Sequence, residues 1–152
     1  PLTVLHPLLR EESFLTKVFG LMNSNKEIAG PVLRLDEPLS FWGGLDPKTG
    51  RITDVHHPQV GSSVTGTVLA MDHGRGSSSS SSVVLELIRN KASPVAIVLS
   101  EMDTHILLGS IVAEELYGLS MPVIVTPKEN LQNFHSGNVA HIDSEGNIRF
   151  TN

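Results

Sequence analysis

Apolar residues along this chain follow two different periods, and the two periods alternate. Continuous apolar runs at residues 95–99 and 121–125 are typical of strands that are buried on both faces of a sheet. At residues 83–88 and 106–116, apolar positions instead recur at intervals of three and four, which predicts two helices. Strands that alternate with helices indicate a segment of parallel sheet.

Shorter patterns predict further strands beside this segment. Residues 28–35 and 64–71 are rich in apolar and β-branched residues, and residues 138–142 and 147–150 flank the turn Asp143-Ser144-Glu145-Gly146. We expect a terminal hairpin around that turn, and we expect the strand at 64–71 to be antiparallel like the hairpin. The predicted fold class is therefore α/β, with helices layered on a mixed sheet.

The start of the chain carries a helical pattern. Apolar residues within residues 13–22 are spaced by three and four, which predicts an amphipathic helix with one apolar stripe; they are Phe14, Leu15, Val18, Phe19 and Met22. We divide the chain into an N-terminal helical extension, residues 1–27, and a domain, residues 28–152.

Composition and charge exclude several classes of partner. The chain has 152 residues, of which 39% are hydrophobic, and this suits one domain with a single core. The net charge is −5 and the basic residues form no run, which disfavours nucleic acid. No apolar stretch approaches the roughly 18 residues of a membrane helix. The start, Pro1-Leu2-Thr3-Val4, lacks the basic, then apolar, then small-residue order of a signal peptide. We expect a soluble, cytoplasmic protein with no membrane partner.

The absence of cysteine narrows the chemistry further. It excludes a thiol nucleophile, a thiolate zinc site and an iron–sulfur cluster ligated by this chain. Seven histidines are present, but no pair has the spacing that places two imidazoles on one helical face. We predict no metal site in this chain, and the roles of His56 and His57 stay open.

One loop between a predicted strand and a predicted helix carries candidate chemistry. It has the sequence Met71-Asp72-His73-Gly74-Arg75-Gly76, followed by six serines, Ser77 to Ser82. The glycines allow close approach of a ligand to the backbone, the helix start favours an anion, and Arg75 can bind a carboxylate or phosphate. The motif is neither a P-loop nor a nucleophile elbow. A flexible serine-rich linker is the alternative.

Several segments together resemble the small subunit, or swivel-domain part, of aconitase X proteins. The resemblance covers about residues 28 to 127. It is carried by Phe41-Trp42-Gly43-Gly44-Leu45-Asp46-Pro47-Lys48-Thr49-Gly50, by Asp54-Val55-His56-His57-Pro58, by Gly61, by Gly74-Arg75-Gly76-Ser77-Ser78-Ser79-Ser80-Ser81, by Pro94-Val95-Ala96-Ile97-Val98 and by residues 109–114.

The resemblance implies a fold, a partner and a reaction. The fold is a swivelling β/β/α layered domain that closes over a large cysteine-containing subunit, and that subunit holds an iron–sulfur cluster. The reaction is the dehydration of a small hydroxy acid. The absence of cysteine in this chain is consistent with a cluster that is held by the large subunit.

The resemblance also assigns roles in the glycine-rich loop. In the wider aconitase superfamily the matching loop has the pattern Gly-x-Gly-Ser-Ser-Arg, which makes Ser77 the catalytic base and Ser78 a substrate-binding serine. We also expect Arg75 and Gly76 to bind substrate. The arginine of the pattern falls on Ser79 here, so that Arg75 takes over part of the charge and the substrate differs from citrate.

Three functions follow as expectations. Within the family that the chain resembles, the serine run favours dehydration of cis-3-hydroxy-L-proline. The alternative within that family is the small subunit of a phosphomevalonate dehydratase. The alternative of another class is a non-catalytic anion-binding or assembly module, whose interface would be the long loop from Pro38 to Gly61.

Overall fold

The computed structural model describes residues 3–4, 17–19, 27–76 and 78–152. Its strands are β1 (Thr3–Val4), β2 (Lys17–Phe19), β3 (Ile28–Arg34), β4 (Val68–Ala70), β5 (Ala96–Leu99), β6 (Val123–Val125), β7 (Val139–Ile142) and β8 (Ile148–Thr151). Its helices are α1 (Phe41–Gly44), α2 (Ser80–Arg89), α3 (Thr104–Tyr117) and α4 (Lys128–Leu131).

The described strands form one mixed sheet in the order β1–β8–β7–β3–β4–β5–β6–β2. Strands β3, β4, β5 and β6 are parallel, while the terminal hairpin joins β3 antiparallel and β2 joins β6 antiparallel. Residues 28–31 of β3 pair with β7, and residues 32–34 pair with β4. Strand β3 therefore connects the parallel segment to the hairpin.

Two apolar layers lie on opposite faces of the parallel segment. Leu69, Ile97 and Leu99 face the layer that contains helices α2 and α3. Their neighbours along the strands face the layer formed by the hairpin and α4; these are Val68, Ala70, Ala96 and Val98. Burial on both faces explains why these strands appear as continuous apolar runs. The predicted layered α/β fold with a mixed sheet is confirmed.

The predicted strand at residues 64–71 is shorter than expected and has the opposite direction. Only Val68–Ala70 is a strand, and it is parallel to both β3 and β5. A turn precedes it, because the Thr67 backbone N–H and hydroxyl both donate to the Val64 carbonyl, at 3.1 and 2.7 Å. Gly66 has a φ of 72° in this turn. The antiparallel prediction is therefore wrong.

The helix predicted at residues 13–22 is wrong at residues 17–19, which form β2. This strand pairs with the free edge of β6, whose N–H and C=O groups would otherwise lack partners. Val18 packs against the hairpin layer and Phe19 against the helical layer, which is the two-residue period of a strand. The rest of the predicted helix lies outside the described residues, and the boundary between residues 27 and 28 stays a prediction.

Both central helices and the terminal hairpin are confirmed. Helix α2 begins at Ser80, within the serine run, and helix α3 ends at Gly118, whose φ of 65° suits a glycine cap. Asp143 shapes the hairpin turn by accepting hydrogen bonds from the backbone N–H groups of Glu145 and Asn147, each at 2.9 Å. Among the described helices, none has the length and apolar character needed to cross a bilayer.

Candidate active site

The candidate site lies at the carboxyl edge of the four parallel strands. Because these strands run in the same direction, the loops that follow them meet at one edge of the sheet. The loops are residues 35–40 after β3, 71–79 after β4, 100–103 after β5 and 126–127 after β6. The glycine-rich loop predicted to carry chemistry is the second of these.

Asp72 attaches the start of the glycine-rich loop to the segments that follow β5 and β6. Ser100, directly after β5, donates its backbone N–H to the Asp72 carbonyl at 2.8 Å, and its hydroxyl contacts both the carbonyl and the carboxylate. The Lys128 Nζ lies 3.1 Å from Asp72 Oδ2. The Ser100 hydroxyl first, and then the Lys128 ammonium, hold the pKa of the Asp72 carboxyl below its usual range. Asp72 is therefore an ionised anchor.

Gly74 lies against the start of α3 in a space that admits no side chain. A Cβ at this position would lie 2.0 Å from Asp103 Oδ2 and 3.2 Å from the Ile106 side chain. Asp103 caps α3, since its Oδ1 accepts from the backbone N–H groups of His105 and Ile106 at 2.9 and 3.1 Å. The loop thus lies in close contact with the start of α3 at Gly74.

The loop after β3 supports the other side of the glycine-rich loop. Ser40 forms a parallel backbone bridge with Arg75. Gly76 has a φ of 115°, and a Cβ there would lie 2.6 Å from the Ser40 hydroxyl. Arg75, Gly76 and Ser78 are exposed at this edge. The loop is therefore held from three sides while its tip faces solvent.

The later serines of the run serve the start of α2. Ser80 is buried, the Ser81 hydroxyl donates to the Ser78 carbonyl at 2.8 Å, and the Ser82 hydroxyl donates to the Ser79 carbonyl at 3.1 Å. Helix α2 has ten residues and begins directly after the loop. The backbone N–H groups of its first turn therefore lie next to the loop tip. The serine run is thus the first turn of a helix, which removes the linker alternative for Ser80 to Ser82.

Comparison with known proteins identifies the family. The model of the aconitase X swivel domain matches residues 18–150. This chain belongs to the aconitase X swivel-domain family. The crystal structure of Thermococcus kodakaraensis aconitase X in its holo form matches this swivel domain with a TM-score of 0.73 at 27% identity, and the match covers 89% of this chain and 98% of that chain. The swivel-domain fold implied by the sequence resemblance is confirmed.

Two groups of relatives resemble the swivel domain. The cis-3-hydroxy-L-proline dehydratase of Pseudomonas aeruginosa is 48% identical over 62% of this chain, which is 16% of that protein. The chain therefore spans only about one sixth of that relative. The phosphomevalonate dehydratase small subunit of Methanothermobacter thermautotrophicus is 38% identical over 80% of this chain and 89% of that protein.

The predicted site residues of the swivel domain divide into two groups. Arg75, Gly76 and Ser78 are brought together at the exposed tip of the loop. Ser77, the predicted catalytic base, lies outside the described residues. Its role, and the substrate-binding roles of the three described residues, stay predictions.

Sequence reasoning missed the residues that support the loop. Ser100 directly follows a predicted strand and Asp103 stands where a helix N-cap is expected, so their positions beside the site were accessible from the sequence. The contacts of Ser40 with Gly76 and of Lys128 with Asp72 join distant parts of the chain. No local pattern indicates them.

His57 has a structural role that its motif did not reveal. It is buried, its Nδ1 accepts the Gln59 backbone N–H at 3.0 Å, and its Nε2 lies 3.0 Å from the Glu37 carbonyl. Because a carbonyl only accepts, Nε2 is the donor in the contact with Glu37, while Nδ1 is the acceptor of the Gln59 N–H. His57 therefore joins the loop after β3 to residues 54–61, whereas His56 is exposed.

The described residues of the swivel domain offer no ligand set for an iron–sulfur cluster. The whole chain lacks cysteine, and the described residues contain no group of three or more His, Asp or Glu side chains that could hold a metal ion. Thiolates are the usual ligands of such clusters. The residues of this chain do not fit the group, so its ligands would have to come from elsewhere.

Proposed function

We propose that this swivel domain supplies the serine-bearing loop of a hydro-lyase that dehydrates a hydroxy acid. It would act with a large cysteine-containing aconitase X subunit, which would hold the iron–sulfur cluster. One observation carries the proposal: the loop is anchored from three sides while Arg75, Gly76 and Ser78, which flank position 77, face outward.

In the proposed reaction, Ser77 takes the proton from the carbon next to the carboxylate. The electron pair of that C–H bond forms a double bond to the neighbouring carbon, and the C–O bond of that carbon breaks. Its hydroxyl leaves as hydroxide with the bonding electrons, and a proton from solvent converts the hydroxide to water, while Ser77 later returns its proton to solvent. A serine hydroxyl is a poor base unless its alkoxide is stabilised. In this chain, the first-turn amides of α2 and the Arg75 guanidinium are the groups at the loop that favour negative charge.

The substrate that we propose is cis-3-hydroxy-L-proline. The dehydratases of that name from Pseudomonas aeruginosa and Hypocrea jecorina are 48% and 43% identical over the matched parts of this chain. The charges at the loop also suit a substrate with one carboxylate. Arg75 is exposed, whereas Lys128 already contacts Asp72.

Phosphomevalonate is the second candidate, and a different observation favours it. The phosphomevalonate dehydratase small subunits are separate chains of similar size, since this chain aligns with 89% of the Methanothermobacter thermautotrophicus protein. A phosphate and a carboxylate on one substrate would require more positive charge than Arg75 alone provides.

Reconstitution tests the proposed function. The chain is combined with its large subunit, and both substrates are supplied separately while product formation is followed. We expect turnover of cis-3-hydroxy-L-proline to the cyclic imino acid, and no turnover by the chain alone. Inactivity of the assembled complex toward both substrates would contradict the enzyme proposal and leave the anion-binding or assembly module.

A pair of serine variants tests the assignment of the base. Ser77→Ala should lower kcat by on the order of 10² or more, because it removes a general base, while assembly with the large subunit is retained. Ser82→Ala is the matched control, since the Ser82 hydroxyl already donates to the Ser79 carbonyl. Equal turnover of the two variants would assign the base to another residue.

A further inference from the structure

The single tryptophan of the chain is exposed although its backbone is fixed. Trp42 is the only tryptophan in the sequence, and 61% of its surface is accessible. It has φ and ψ of −79° and 117°, which interrupt α1, and the next residue, Gly43, has a φ of 82°. Tryptophan is highly buried on average in folded proteins, and it is enriched among the residues that dominate binding energy at interfaces.

The turn that carries Trp42 is attached to the core on both sides. Phe41 is fully buried next to it. The Ser40 hydroxyl donates to the Trp42 carbonyl at 3.0 Å, and the Thr53 backbone N–H donates to the Gly44 carbonyl at 3.0 Å. The indole is therefore presented on a preorganised turn, which lowers the entropy cost of binding.

A second exposed apolar residue lies on the neighbouring backbone segment. Val55 is 76% exposed and follows Thr53 by two residues, and Thr53 is hydrogen-bonded to Gly44 of the tryptophan turn. We call Trp42 and Val55 the Trp42 face. Its two residues lie on adjacent segments, α1 and the segment that follows Ile52, which the hydrogen bond from Thr53 to Gly44 joins.

The Trp42 face adjoins the proposed catalytic loop. Ser40, two residues before Trp42, forms a backbone bridge with Arg75, and its hydroxyl fills the space beside Gly76. A molecule that receives the tip of the glycine-rich loop in its own cavity would therefore lie next to the tryptophan turn. This continuity indicates what occupies the face.

We propose that the Trp42 face is the anchor by which the large, cluster-carrying subunit docks beside the catalytic loop. This inference rests on the proposed function. The swivel domain has another set of exposed apolar residues, including Leu116 and Tyr117 on α3. Leu116 and Tyr117 lie at the end of α3, roughly 18 Å along the helix axis from the residues that contact Gly74, so a partner placed over the loop need not reach them. Leu108 and Ile111 are also exposed on α3 and lie nearer the loop.

A label on the single tryptophan tests the proposal directly. The chain is produced with 5-fluorotryptophan, combined with unlabelled large subunit, and followed by ¹⁹F NMR in H₂O and D₂O. We expect one resonance with a solvent isotope shift in the free chain, and loss of that shift in the complex. A resonance that stays solvent-exposed in an active complex would overturn the inference and leave the proposed function intact.

Affinity measurements with three variants separate docking from other roles. Trp42→Ala should weaken binding of the large subunit by roughly tenfold or more, Val55→Ser should weaken it less, and Leu116→Ala should leave it unchanged. Turnover at saturating large subunit should be retained in Trp42→Ala.

Three results would reject the docking role of this face. A raised KM of Trp42→Ala with unchanged subunit affinity would make Trp42 a substrate contact. A loss of affinity in Leu116→Ala alone would move the interface to α3. Protection of the label in the free chain by self-association would assign the face to a second copy. Absence of any complex with the large subunit would reject the proposed function as well.

Discussion

Gly74 is fixed as glycine by a neighbour that lies 29 residues later in the chain. We predict that Gly74→Ala destabilises the protein by about 1–3 kcal/mol, because its methyl group would displace the Asp103 carboxylate that caps α3. The measurement is urea denaturation followed by circular dichroism. Gly44→Ala is the control, since a Cβ there meets the flexible end of Leu39 at 3.3 Å and should cost less. Equal losses would show that Asp103 can move without cost.

A substitution of His57 tests whether this residue stabilises the fold or takes part in catalysis. His57→Phe removes its two hydrogen bonds, to the Gln59 amide and the Glu37 carbonyl, and should lower the free energy of unfolding by about 1–3 kcal/mol. Turnover of the assembled enzyme should stay within about twofold of the wild type below the melting temperature. His56→Phe, at an exposed position, should change neither quantity. A large loss of turnover with an unchanged melting temperature would make His57 a catalytic residue.

The sequence indicated which loop carries the candidate residues, but it did not indicate the residues that support this loop. Arg75, Gly76 and Ser78 lie together because they are consecutive or nearly so, and a motif captures such neighbours. Ser40 and Lys128 reach the loop from segments that follow two other strands, β3 and β6. Their positions depend on which strands are adjacent in the sheet, and this is a property of the whole fold.

At the scale of the element, the glycine-rich loop is held by an anchor that responds to pH. The pKa of Asp72 is lowered in the folded protein by the Ser100 hydroxyl and by Lys128. The stabilisation is therefore complete above the unfolded pKa, about 3.9, and is lost as the pH falls through the lower folded pKa. We expect the stability difference between wild type and Asp72→Asn to shrink over this range. Urea denaturation at pH values from 7 to 2.5 measures it.

The control for this prediction is the other partner of the ion pair. The Lys128 side chain is 76% exposed, so Lys128→Met should cost less than about 1 kcal/mol at pH 7. Asp72→Asn should cost more, because it also weakens the contact with the Ser100 hydroxyl. A larger loss from Lys128→Met would mean that the ion pair, and not the hydrogen bond, holds the loop.

Continuous apolar runs predicted the two central strands β5 and β6 correctly. The runs that became β5 and β6 are buried on both faces, and their apolar continuity identified them. Residues 17–19 become a strand because the edge of β6 requires a partner, although their sequence also fits a helical stripe. Residues 64–67 have strand-like composition, yet the hydroxyl of Thr67 and the positive φ of Gly66 close a turn there.

At the scale of the molecule, the two apolar layers share one sheet, and this predicts a single unfolding transition. Phe150 of β8 is buried in the hairpin layer, where it meets Phe134 edge to face at 5.0 Å between ring centroids. Leu87 of α2 is buried in the helical layer. Adjacent residues of β4 and β5 contribute to opposite layers, so loss of either layer exposes the same strands to water.

We therefore expect Phe150→Ala and Leu87→Ala to lower the same transition, by about 3–5 and 2–5 kcal/mol respectively. Circular dichroism at 222 nm reports the helices, and hydrogen exchange of residues 139–142 and 148–151 reports the hairpin. The two probes should give coincident midpoints in both variants, because cooperative unfolding of a shared sheet admits no state with one layer intact. Early exchange of the hairpin in Phe150→Ala, with an unchanged helical midpoint, would show instead that the hairpin layer opens independently of the helical layer.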